Sequence, residues 1–217
     1  HSGISHLFIG GKNGEKIWNE IKETHTIIDI HLSESSDKNY YNMNWNGFLN
    51  ESDKVEDFDI NAHIDNINMN AVQTIMYTSG TTANPKGIVF DQVNIMSKRF
   101  ARALALPELN SKDVFLAYLP LFHTFGRYFE MLGSIFWGSS YCFAESPAFN
   151  SLLNDFKILK PTIFISIPKR WVQLYEMLQN EIDLDSDVEE VIKNRLQKIT
   201  GGNLNWGLSA AGFLDSD

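Results

Sequence analysis

With 217 residues, 43% of them hydrophobic, the chain is long enough to bury a sizeable core as one domain or two small ones. A formal charge of -9 excludes a nucleic-acid scaffold, because displacing counterions takes clustered lysine and arginine, so an anionic ligand has to be met by local charge and backbone donors. A single cysteine, Cys142, excludes an internal disulfide and a multi-thiolate zinc site, and predicts a buried small hydrophobe in a reducing, cytoplasmic setting.

The chain opens on His1 rather than methionine, which predicts residues missing upstream or replaced. Residues 6–9 and 26–30 read as short buried strands, and between them residues 14–23 carry Ile17, Trp18 and Ile21 at helical spacing. Together they predict one β-α-β unit of a doubly wound sheet. Residues 33–70 turn polar and asparagine-rich, with scattered aromatics at Tyr40, Tyr41, Trp45 and Phe48, and predict a surface excursion with one or two short helices.

Val72, Thr74, Ile75, Met76 and Tyr77 then predict a buried strand that stops where hydroxyls and glycine begin. Beyond it come the hydroxyls of Thr78, Ser79, Thr81 and Thr82, the bare backbone of Gly80 and the ammonium of Lys86. Neutral donors, close backbone approach and positive charge are what a triphosphate requires. Spacing excludes a Walker A loop, since Pro85 stands where that motif needs glycine and Gly87 where it needs a hydroxyl. Ile88, Val89 and Phe90 are β-formers, so the loop joins two strands.

Residues 78–87 resemble the signature of the adenylate-forming superfamily, which comprises acyl-CoA synthetases, firefly luciferases and the adenylation domains of peptide synthetases. The pattern Thr-Ser-Gly-Thr-Thr-Gly-x-Pro-Lys-Gly is met at nine of ten positions, counting the free one, and the departure is Ala83 in place of the usual glycine.

Asp91 or Gln92 is predicted to open a helix running to about Leu106, with Val93, Met96, Phe100 and Leu104 along one face and Lys98, Arg99 and Arg102 as a solvated flank; Pro107 ends it. Residues 113–119 alternate as another strand, followed by Pro120-Leu121-Phe122-His123. In α/β sheets ligands bind beyond the carboxyl ends of strands, although spacing alone leaves a solitary histidine structural or functional. Residues 119–126 resemble a second motif of the same family, Leu-Pro-Leu-Phe-His-x-x-Gly, which implies that His123 borders the substrate carboxylate and the acyl tunnel.

Thr124 reads as a helix N-cap, and Tyr128, Met131, Leu132, Ile135 and Phe136 as an apolar run, either ordinary core or an acyl-binding wall. Residues 131–144 are interrupted by Gly133, Gly138, Ser139 and Ser140 and fall short of the ~20 apolar residues a bilayer span needs. Residues 149–159 predict a helix and 162–167 a strand. Pro168 starts a helix with Trp171, Leu174, Tyr175 and Leu178 on one face. Residues 160–171 are similar to the Lys-Pro-Thr-x-Phe-x-x-Val-Pro-Arg-x-Trp segment of long-chain fatty acyl-CoA synthetases. The acidic run at Glu181, Asp183, Asp185, Asp187, Glu189 and Glu190 lacks an EF-hand register and predicts a solvated helix start, with Val191, Leu196 and Ile199 facing inward. Residues 204–209 read as a last strand, and Ser209, Ala210, Ala211 and Gly212 as a tight turn against which a flat ligand could lie. That turn resembles the family's Ser-Gly-Gly-Ala-Pro-Leu segment, which borders adenine and the acyl group.

The resemblance implies an α/β fold, the layered αβα sheet of the adenylate-forming N-terminal domain, incomplete. Residues 1–217 would be its middle portion, with the C-terminal domain and its lysine absent. It implies a parent long-chain fatty acid–CoA ligase that uses ATP, Mg2+ and CoA. Lys86 and His123 would be catalytic, and Thr78, Ser79, Gly80, Thr81, Thr82 and Lys86, with Ser209, Ala210, Ala211 and Gly212, would bind nucleotide; no metal ligand is expected in this chain. Fatty acid and nucleotide are the expected partners and nucleic acid is not. Peripheral membrane contact, self-association through a cut sheet edge and inactivity of the 217 residues alone are further expectations. Two other classes fit the same residues: a truncated non-catalytic nucleotide-binding or interaction module, and an adenylating enzyme for aryl or amino acids.

Overall fold

Among the described residues of the N-terminal stretch, the buried hydrophobic side chains Ile9, Trp18 and Ile30 sit on the three elements expected to form its β-α-β unit. The computed structural model describes residues 3–10, 13–21, 28–32, 43–55, 58–78, 84–179, 188–209 and 212. They fall into two units, His1–Ile67 and Asn68–Asp217.

In the first unit β1 (His6–Ile9) and β2 (Ile28–His31) pair in parallel, joined through α1 (Gly14–Ile21). A short β3 (Met43–Asn44) extends the sheet on the other side of β2. The Asn44 side chain accepts from the Gly47 N–H at 2.7 Å and so caps α2 (Trp45–Asn50), whose Trp45 and Phe48 rings meet Phe8 at 6.5 and 5.3 Å. A 3-10 turn, Glu51–Lys54, and α3 (Ile60–Asp65), capped by Asp59, complete the polar excursion.

The second unit opens with an antiparallel hairpin of β4 (Val72–Thr78) and β5 (Lys86–Asp91), so the hydroxyl-rich loop does join two strands. Asp91 accepts from the Asn94 N–H at 2.7 Å in a capping box that starts α4 (Gln92–Ala105). Then follow β6 (Val114–Ala117), a π-helix (Phe125–Met131), α5 (Leu132–Trp137), β7 (Ser140–Phe143), α6 (Phe149–Leu159), β8 (Ile163–Ser166), α7 (Pro168–Gln179), α8 (Val188–Thr200) and β9 (Trp206–Ser209).

Four of these strands form one all-parallel sheet in the order β7-β6-β8-β9. Every residue of β8 is buried, as expected of a strand covered on both faces. Side-chain alternation splits its core in two. Leu116 and Phe164 point to one face, with Leu152 and Phe156 of α6 and Leu174 of α7. Phe115, Ile163 and Ile165 point to the other, with Phe129 of the π-helix and Trp137 of α5. The unit is therefore the layered αβα arrangement expected from the sequence. Among the described residues no helix is long and apolar enough to cross a membrane.

Two local expectations are corrected. On α4 the apolar face is turned outward, Phe100 and Leu104 being exposed, while Arg99 is buried and Arg102 half-buried. The neighbouring surface is polar and aromatic: Arg102 Nη1 donates to the Tyr128 carbonyl at 2.9 Å, and its guanidinium lies 4.8 Å from the Phe129 ring centre. Thr124 does not cap with its side chain, because it already has helical backbone and the Arg127 N–H donates to the His123 carbonyl at 3.0 Å. Cys142, free, is half-buried rather than buried. Residues 181–187 of the acidic run lie outside the described residues; Glu189 and Glu190 occupy the first turn of α8, as expected.

The ends of β6 and β8 are tied together through Tyr118, whose hydroxyl lies 2.6 Å from Ser166 Oγ and accepts from the Ile167 N–H at 3.3 Å. Tyr118→Phe leaves the fully buried Ser166 hydroxyl without its partner, and is expected to lower unfolding free energy by about 1–2 kcal/mol, read as a shift in urea midpoint at unchanged slope.

Candidate functional site

Because β6, β8 and β9 are parallel, their carboxyl ends share one edge, and two sequence-predicted residues lie on it. From β6 the chain runs through Leu119 and Pro120 to His123, whose N–H donates to the Pro120 carbonyl at 3.0 Å. His123 Nδ1 accepts from the Phe125 N–H at 3.3 Å and its ring stacks on Phe125 with centres 6.1 Å apart. An acceptor Nδ1 puts the proton of the neutral ring on Nε2, so the exposed histidine offers an N–H donor at the sheet edge. Gly126 makes this turn feasible: a Cβ there would stand 2.6 Å from the Pro120 oxygen and 2.7 Å from that of Leu119.

At the end of β9, Ser209 keeps a buried Oγ without a hydrogen-bond partner. The strand beneath it is held by Trp171 of α7, whose Nε1 donates to the Leu208 carbonyl at 3.1 Å. Gly212 lies against Pro168, while Ala210 and Ala211 lie outside the described residues.

The hairpin supplies the cation. Thr74, Met76 and Thr78 oppose Phe90, Ile88 and Lys86, and directly opposed residues share a face. Thr78 and Lys86, both exposed, thus close the hairpin on one side of the ribbon. That side is the one covered by the π-helix, since Phe90 meets the Tyr128 ring at 4.8 Å and Arg127 Nη1 donates to Thr74 Oγ1 at 2.9 Å. The helix covering it continues directly from His123. Ser79, Gly80, Thr81 and Thr82 lie outside the described residues, as does Ala83. The hairpin end presents an ammonium beside a hydroxyl, and the sheet edge presents an imidazole N–H, each a donor to anionic oxygens.

Sequence reasoning missed the charged residues behind this surface. Arg127 and Glu130, the two charged residues of the helix Phe125–Met131, are the available signal for polar contacts. Glu130 is fully buried with neither oxygen partnered, and burial pushes its carboxyl up to about 9. Arg99 is also buried with its three guanidinium nitrogens unpartnered, and reaches the helix one turn past Glu130, where a Cβ on Gly133 would be 3.4 Å from Nη1. Tyr141 of β7 is pushed up to about 12 by burial and by Glu130. Tyr128 is raised by burial, opposed by Arg127 and Thr74 beside it.

Residues 1–205 match the family model described as AMP-binding enzyme. A human relative, long-chain-fatty-acid–CoA ligase ACSBG1, is 31% identical over 170 residues, which is 76% of this chain and 23% of the relative. The peroxisomal long chain acyl-CoA synthetase 7 of Arabidopsis thaliana is 34% identical over 128 residues, 59% of this chain and 17% of that one. The chain therefore spans about a quarter or less of the length of these curated relatives. Among solved structures, apo MatB from Rhodopseudomonas palustris superposes with a TM-score of 0.64 at 17% identity, covering 97% of this chain and 36% of that one. The anthranilate CoA ligase AuaEII in complex with anthranoyl-AMP gives 0.66 at 17% identity, over 92% and 39%. At such identity these two likenesses concern the fold. The match over nearly the whole chain shows that the chain belongs to the AMP-binding enzyme family.

Proposed function

We propose that the protein carrying this chain is an ATP-dependent long-chain fatty acid–CoA ligase, and that residues 1–217 supply the middle of its nucleotide-binding N-terminal domain. The observation that carries the reading is the pairing of Thr78 with Lys86, which sets a hydroxyl and an ammonium side by side at the exposed end of the hairpin. The acid class rests on the curated relatives, named as long-chain ligases, and on the similarity of residues 160–171.

In the first step a carboxylate oxygen attacks the α-phosphorus of ATP, the bond to pyrophosphate breaks, and acyl-adenylate forms. In the second the CoA sulfur, its proton lost, attacks the acyl carbonyl and AMP leaves. Lys86 and Thr78 hold phosphate oxygens, His123 donates Nε2–H towards the carboxylate, and Ser209 directs its hydroxyl to the bound acyl-adenylate. This is catalysis by position and electrostatics. Mg2+ would arrive on the ATP phosphates.

The test is ATP–pyrophosphate exchange by the complete coding sequence against palmitate, benzoates and amino acids. Exchange driven by palmitate is expected. Exchange with aryl or amino acids alone overturns the substrate class, and exchange with none of them overturns adenylation and favours a binding module.

A further inference from the structure

We propose that Arg127 is a positioning residue that locks the phosphate-binding hairpin to the His123 segment; the inference rests on the adenylation reading above. One residue bonds to both parts. Its N–H donates to the His123 carbonyl at 3.0 Å, and its Nη1 donates to Thr74 Oγ1 at 2.9 Å. Thr74 is four residues before Thr78 on the same face of β4, so a strand of roughly 13 Å conveys its placement to the site.

The surroundings make the lock stiff. Tyr128, next in the chain, packs on Phe90, which is paired with Thr74 across the hairpin. Arg102 in turn donates to the Tyr128 carbonyl and lies over the Phe129 ring, adding two further contacts to the π-helix. The wider turn of a π-helix is a geometry that recurs at functional sites, and here it directs both Arg127 and Tyr128 at one strand pair. Gly126 leaves no room for a side chain between the helix and the segment that follows β6, since a Cβ there would stand 2.6 Å from the Pro120 oxygen.

A lock of this kind acts on the relative position of two groups that each bind their own part of the reactants. Its loss lowers the rate of the bound complex and leaves the affinity for either part largely intact. An ordinary stabilising contact would act through the folded fraction alone.

The experiment compares wild type with Arg127→Met, Arg127→Lys, Thr74→Val and the double variant Arg127→Met/Thr74→Val, all in the complete coding sequence. Palmitate-dependent pyrophosphate exchange and thermal midpoint are measured for each. Expected are a kcat about tenfold or more lower for Arg127→Met and Thr74→Val, KM for palmitate within about twofold, and a double variant no worse than the poorer single one, because both remove one interaction. Arg127→Lys, which keeps a donor, is expected to fall between Arg127→Met and wild type. Unchanged kcat, multiplicative losses, or losses that track the thermal midpoint overturn the proposal while leaving adenylation standing. A wild type without exchange overturns the adenylation reading, and this inference with it.

Discussion

Lys86→Ala is expected to slow adenylate formation by about 100- to 1,000-fold, the range found when one preorganised donor to a developing anion is removed. Lys86 opens β5 directly opposite Thr78, on the side of the hairpin that the π-helix covers, and has no ion-pair partner among the described residues. Its backbone is fixed by the hairpin ladder, so the ammonium is presented without the cost of ordering a loop. In the adenylation step proposed above, negative charge grows on the departing pyrophosphate as the bond breaks, and a cation held there beforehand would stabilise the transition state more than bound ATP. The effect therefore belongs in kcat. Lys86→Arg keeps the charge but spreads it over a planar fork, so partial recovery is expected. Because the side chain is exposed, the thermal midpoint should hold within about 2 °C, separating lost chemistry from lost fold. Pyrophosphate exchange at saturating ATP is the direct measurement, and an undiminished rate would remove Lys86 from the site.

How far the sequence discloses this site depends on whether a residue's role is local. The hairpin was legible because β-formers flank a hydroxyl-rich loop, and α7 because Pro168 marks its first turn; α6 was found at its observed bounds. The strand expected over residues 162–167 is observed, and its alternation sends Phe164 and the pair Ile163 and Ile165 into opposite core layers. Long-range pairing is not written in such patterns. The outward apolar face of α4 and the inward Arg99 reverse the amphipathic reading, because periodicity shows which face is apolar and not what the chain packs against it. Nothing local marks residues 125–131 as a π-helix, or tells Arg127 that Thr74 lies 53 residues back to accept its hydrogen bond. Ser209 was singled out through small residues and resemblance, whereas its orphaned buried hydroxyl is visible only in three dimensions.

Glu130 sets the second large expectation: stability of the chain falls as pH rises from about 5 to 9, and Glu130→Gln flattens that fall. The folded carboxyl titrates at about 9 against an ordinary value of 4.5, because burial without a partner disfavours its charged form. Between those values the native state keeps a proton that the unfolded chain releases. The unfolded state then binds fewer protons, and unfolding free energy declines with pH. The contribution is whole below about pH 4.5 and is lost on passing 9, where both states are ionised. The loss is on the order of several kcal/mol, a large part of the 5–15 kcal/mol that holds an ordinary domain together. Glutamine keeps the shape and stays neutral, so its unfolding curves at about pH 5, 7 and 9 should converge. Tyr141 offers an independent reading. Glu130 helps hold its hydroxyl up at about 12, so in Glu130→Gln the phenolate absorbance should appear at lower pH. A buried cation, Arg99 of α4, reaches the same helical stretch at Gly133, three residues past Glu130. If wild type instead gained stability from pH 5 to 9, Glu130 would be ionised against that guanidinium, and removing either partner would leave the other charge buried and unpaired.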